Sequence, residues 1–66
     1  MQIQLNGEAH ELAEGSTLAA LVAALDLAGK RIAVELNGEI APRSQHAALI
    51  LRANDRVEIV QAIGGG

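Results

Sequence analysis

The chain has 66 residues, half of them hydrophobic, with no Cys, Phe, Tyr or Trp and a formal net charge of −3. That length holds one small domain, which buries only about 60% of the surface its unfolded chain exposes. The missing cysteines exclude a disulfide framework, a thiolate zinc site, an iron–sulfur cluster and a cysteine nucleophile.

Met1, Ile3 and Leu5 alternate with Gln2, Gln4 and Asn6, the period of a half-buried strand. Asn6-Gly7 then signals a tight hairpin turn, because both residue types tolerate positive φ. The return strand is expected over Glu8–Ala13, with Leu12 inward and His10 on the same face, partly buried at the sheet rim. Ser16 or Thr17 is placed to cap a helix. Leu18, Leu21, Val22 and Leu25 then fall at i, i+3, i+4 and i+7, one helical face. Gly29 reads as the helix stop, with Lys30 and Arg31 near the negative end of the helix dipole. Ile32, Val34 and Leu36 predict a third strand, and Asn37-Gly38 a second tight turn before a short extended piece over Glu39–Ala41. Pro42 keeps Ala41 out of helix, and Ser44 is placed to cap a single turn through Ala48. Leu49–Leu51 reads as a minor strand. Asn54-Asp55 turns the chain into a last strand over Arg56–Ile63, with Val57 and Ile59 inward, before Gly64-Gly65-Gly66.

One helix across a mixed sheet of four or five strands is an α+β layer arrangement, with the first strand expected to be central and paired with the last. Residues 1–63 read as one domain and 64–66 as a flexible glycine tail. This order of elements resembles the ubiquitin-like β-grasp fold, as do Met1-Gln2-Ile3, Gly15-Ser16-Thr17-Leu18 and Ile63-Gly64-Gly65-Gly66. More closely, the chain is similar over its whole length to the ThiS family of sulfur carriers of bacterial thiamine biosynthesis. That likeness rests on Glu35-Leu36-Asn37-Gly38-Glu39-Ile40-Ala41-Pro42-Arg43, on Asp55-Arg56-Val57-Glu58-Ile59-Val60 and on the Gly-Gly end. Two features depart from the family pattern: three terminal glycines, and none of the aromatic residues often found there. The resemblance implies that Gly66 is adenylated by an E1-like adenylyltransferase of the ThiF type. Sulfur from a donor protein then gives a thiocarboxylate, and a thiazole synthase of the ThiG type takes that sulfur into the thiazole ring.

The residues lead to the same chemistry independently. Gly64, Gly65 and Gly66 carry no side-chain nucleophile, acid or base, so the reactive group of the tail is the Gly66 α-carboxylate. A carboxylate is a poor electrophile and needs activation, by the usual biological route as an acyl adenylate made with ATP. The glycines follow a strand rather than open a helix, so they form no phosphate-binding loop, and the activating enzyme is expected to be a separate protein. Lacking Cβ, Gly64 and Gly65 suit a chain that threads a partner's narrow active site. The chain is therefore read as a co-substrate rather than an enzyme, with no bound cofactor and no metal. His10 and His46 are the only imidazoles, and a catalytic metal would need carboxylates to complete its ligand set.

Val60 and Ala62 alternate out of phase with the inward Val57 and Ile59, and an outward apolar residue beside a reactive tail is a candidate partner contact. Ile63 is a second candidate, as an anchor for the tail in a groove, and Arg43 a third, facing an acidic partner surface. His46 is expected to be solvated. Five dispersed cations and no aromatic stacking platform argue against nucleic acid. The longest apolar run, Leu18–Leu25, is far short of the ~20 residues that span a membrane. The opening residues lack the charged and apolar regions of a signal peptide. A cytoplasmic protein, monomeric when free, is the expectation. The alternatives are a carrier for another pathway, such as a relative of the molybdopterin-synthase small subunit (the MoaD type), a ubiquitin-type modifier conjugated to lysines, and a non-catalytic β-grasp interaction module.

Overall fold

The computed structural model describes residues 1–61. Strands β1 (Gln2–Leu5) and β2 (Glu8–Glu11) form the expected hairpin, with Ile3 directly opposite His10. Asn6 and Gly7 turn it with φ of 51° and 82°, the double positive φ of a type I′ turn. His10 is half-buried on this edge strand, as expected.

Helix α1 (Leu18–Ala24) buries Leu18, Leu21 and Val22. Thr17 rather than Ser16 caps it, its hydroxyl accepting the Ala20 N–H at 3.1 Å; the Ser16 hydroxyl donates instead to the Ala13 carbonyl. The other free amides of the first turn find partners in the 46–49 segment: Leu18 N–H donates to the Leu49 carbonyl at 2.9 Å and Ala19 N–H to the His46 carbonyl at 3.0 Å. The orphan donors of a helix start are thus met by tertiary contacts as well as by the cap. The stop differs from the sequence expectation. The helix ends at Ala24, five residues before Gly29, through Asp26 at a φ of 61°. Leu27 N–H reaches back to the Val22 carbonyl and Asp26 N–H to the Ala23 carbonyl, both at 3.0 Å, which is the Schellman pattern. Gly29, also at positive φ, belongs to the following turn, where Lys30 N–H bonds the Leu27 carbonyl.

Strand β3 (Ile32–Leu36) turns through Asn37-Gly38, again with both φ positive, into the two-residue β4 (Glu39–Ile40). A 3₁₀ turn over Arg43–Gln45 follows, capped by extended Pro42 with no side-chain bond, so the expected Ser44 cap is not formed. Leu49–Leu51 is not a strand. Its one bridge pairs Ile50 with Thr17, and Leu51 N–H donates to the Ser16 carbonyl at 2.8 Å, so the segment pins the start of α1 rather than extending the sheet. Strand β5 (Arg56–Gln61) completes a sheet of order β2-β1-β5-β3-β4. It runs parallel to β1 and antiparallel to β3. β1 does pair with β5, but the middle position belongs to β5.

The core lies between α1 and one sheet face. Ile3, Val34, Val57 and Ile59 meet Leu18, Leu21 and Val22, and Ala41 and Leu51 close the sides. Every member is aliphatic, so close packing depends on branched side chains interdigitating.

Candidate functional site at the end of strand β5

Strand β5 is gripped from both sides, and two hairpin asparagines add to its backbone ladder. Beyond the last β1–β5 pair, the Asn6 side chain takes over. Its Oδ1 accepts the Ile59 N–H at 2.8 Å and its Nδ2 donates to the Ile59 carbonyl at 3.3 Å. At the start of the strand, Asn37 Oδ1 accepts the Arg56 N–H at 2.9 Å and Asn37 N–H donates to the Arg56 carbonyl at 2.8 Å. Asn37 Nδ2 also donates to Asp55 Oδ1 at 3.0 Å. An amide side chain matches a peptide group in donor and acceptor, so each asparagine acts as a further ladder residue.

The face assignments follow from the pleat. Val57 and Ile59 are buried against α1, and Val60 is 65% exposed on the opposite face, across from Ala33. The outward direction expected of Val60 is therefore correct. Ala62, Ile63, Gly64, Gly65 and Gly66 lie outside the described residues. The last described residue of the strand, Gln61, pairs with Ile32 at the start of β3.

Arg43, the remaining sequence candidate, lies on the helix side of the sheet, at the end where β3 begins. Its guanidinium donates to the Lys30 carbonyl. Beneath it is a cavity of about 190 Å³ between α1 and the start of β3, whose walls include Ala19, Val22, Ala28, Ile32, Arg43 and His46. Arg43 is thus close to Ile32 and the end of β5, while Val60 is on the other face. The two candidates flank the same end of the sheet without sharing a surface. Lys30, Arg31 and Arg43 are all exposed, and none forms an ion pair among the described residues.

His46 departs from expectation. It is 7% exposed, and its Nε2 is 2.8 Å from the Ala41 carbonyl. A carbonyl oxygen only accepts, so Nε2 carries the proton in this bond. The physical reason is that Ala41 is buried beyond the end of β4, so its oxygen needs a donor there. Sequence reading also missed the roles of Asn6 and Asn37. The Asn-Gly pairs announced turns, but what each side chain bonds depends on a strand some 20 to 50 positions away, as the separations of 19 and 53 residues show. Among the described residues, no group of three or more His, Asp or Glu could hold a metal ion, and no helix is long and apolar enough to cross a membrane.

Comparison with known proteins places these features in context. The model of the ThiS family matches residues 3–66. A thiazole synthase of Magnetococcus marinus is 41% identical over all 66 residues, and one of Paramagnetospirillum magneticum is 38% identical. The chain spans 20% of the length of each. The sulfur carrier protein ThiS of Escherichia coli is 36% identical, with both chains covered in full. Among solved structures, the thiamine biosynthesis protein ThiS of Geobacter metallireducens superposes with a TM-score of 0.84 at 33% identity, each chain covered in full. The mixed sheet with one helix is thus the ubiquitin-like β-grasp architecture.

Proposed function

This chain belongs to the ThiS family, and on that premise we propose that it is a sulfur carrier whose Gly66 α-carboxylate is converted to a thiocarboxylate that supplies the sulfur of a thiazole ring. The observation that carries this reading is the extent of the family match, which runs through Gly64 and Gly65 to Gly66. Residues 1–63 serve as a handle and 64–66 as the reactive segment. In the first step the carboxylate oxygen attacks the α-phosphorus of ATP in a ThiF-type adenylyltransferase, and pyrophosphate leaves. Hydrosulfide, supplied by a donor system, then attacks the acyl carbon, AMP departs with the oxygen it had bonded, and the C-terminal thiocarboxylate is left. In the second stage a thiazole synthase takes up the sulfur. Support for that acceptor comes from the two thiazole synthases, each of which contains a segment similar to this chain.

The chain contributes presentation rather than catalysis. A strand held on both sides by ladders and by Asn6 gives a partner a firm handle as far as Gln61, from which the sequence continues to Gly66. Gly64 and Gly65 offer no Cβ to a narrow active site. Val60, with Ala62 and Ile63 beyond it, supplies apolar contact for the enzyme that accepts the tail.

Intact-mass measurement after incubation with the cognate adenylyltransferase, ATP and a sulfur source tests the reading. We expect a gain matching replacement of one oxygen by sulfur, and its loss when Gly65-Gly66 is deleted. An unchanged mass with an enzyme competent on its own carrier would overturn it.

A further inference from the structure

We propose that the cavity under Arg43 is a docking socket for an acidic–aliphatic segment of the sulfur-accepting enzyme, an inference that rests on the sulfur-carrier reading. The occupant is one branched aliphatic side chain seated in the cavity, with a neighbouring carboxylate paired to the Arg43 guanidinium.

Position is the first argument. Ile32 is both a wall of the cavity and the register partner of Gln61. A partner segment seated there lies beside the point where the chain runs on toward Gly66, on the side of the sheet opposite Val60. The enzyme would thereby hold the end of β5 from both faces.

Chemistry is the second. The walls formed by Ala19, Val22, Ala28 and Ile32 are apolar, and about 190 Å³ gives room for one aliphatic side chain. Arg43 spends one guanidinium N–H on the Lys30 carbonyl, which fixes the group at the rim and leaves other donors free for bidentate pairing with a carboxylate. Holding it in place before binding reduces the ordering cost of the complex.

Charge is the third. The chain is net negative, with eight acidic residues against five cations. Lys30, Arg31 and Arg43 nonetheless gather at this end, exposed and outside any ion pair among the described residues. A positive rim on an acidic molecule orients approach of an acidic partner surface.

Titration calorimetry with the cognate thiazole synthase tests this, using the full 66-residue chain at low and moderate salt. Arg43→Glu is expected to weaken binding about tenfold or more, and Arg43→Lys, which loses the planar fork, by a smaller factor. Ala47→Leu, which fills the cavity from its exposed side, should also weaken binding. Arg52→Glu makes the same charge change at the opposite end of β5 and should leave affinity within about twofold of the parent. Thermal melts of each variant verify that the fold is intact. Parent-like affinity for a folded Arg43→Glu chain, or an equal loss for Arg52→Glu, overturns the socket and leaves the carrier reading standing. Failure of the unmodified chain to bind the synthase at all overturns both.

Discussion

Asn6 and Asn37 hold the first central positions of two type I′ turns, yet each commits its side chain to β5. Asn is tolerated at positive φ because its short amide can bond locally, and here the amide bonds across strands instead. Replacing Asn6 by Gly keeps the turn backbone and removes both bonds to Ile59. The Ile59 amide, in the central strand, is then left without its acceptor. A loss of about 1–2 kcal/mol is expected, read from urea unfolding at unchanged m-value, with faster hydrogen exchange at the Ile59 amide. Full protection of that amide in the variant would show that Asn6 does not hold the strand. His46 illustrates the converse case. Its residue type suggested a solvated side chain in a turn-rich segment, and the buried Ala41 carbonyl drew it inward.

At the scale of elements, α1 is short, and its ends are supported from outside. Three first-turn amides are met by Thr17, His46 and Leu49, so the 46–49 segment and the helix stabilise one another. The C-terminal stop depends on Asp26 in the left-handed region, where a Cβ is strained and glycine is not. Asp26→Gly should therefore raise stability, by about 0.5–1 kcal/mol, seen as a higher denaturation midpoint. A lower midpoint would mean that the carboxylate makes a compensating contact. The position of the stop was not legible because glycine signals compete. Gly29 is a good helix terminator by type, but the Leu27 amide is already bonded to the Val22 carbonyl before the chain reaches it.

At the scale of the whole molecule, the stability margin is small. Folded domains hold roughly 0.05–0.15 kcal/mol per residue, or roughly 3–10 kcal/mol for a chain of this size. Leu21 is 1% exposed at the centre of the aliphatic core, and Leu21→Ala is expected to cost about 2–5 kcal/mol. That is a large share of the total. Circular dichroism melts should show a substantially lowered midpoint or no cooperative transition. A near-parental melt would mean that the small core collapses around the gap. The same scale shows how the candidate functional end is organised. Val60 lies on one face and Arg43 with its cavity on the other, both beside the end of the strand that leads to Gly66.

The sequence alone marked the five strands of the sheet, the two hairpin turns and the inward faces of α1 and β5, and those features are local; the β-grasp class came from resemblance to a known family. Period two and period 3.6 follow from strand and helix geometry, and Asn-Gly pairs follow from the sterics of positive φ. It also identified Gly66 as the candidate reactive group, because three glycines offer no other chemistry. Only the tertiary structure placed β5 rather than β1 at the centre of the sheet and turned Asn6 and Asn37 into strand clamps. Only it buried His46, replaced the Leu49–Leu51 strand by a brace for the helix, and brought Arg43 over a cavity beside Ile32. Each of these depends on a partner far along the chain, and hydrogen-bond satisfaction among distant segments leaves no periodic mark in the residues themselves.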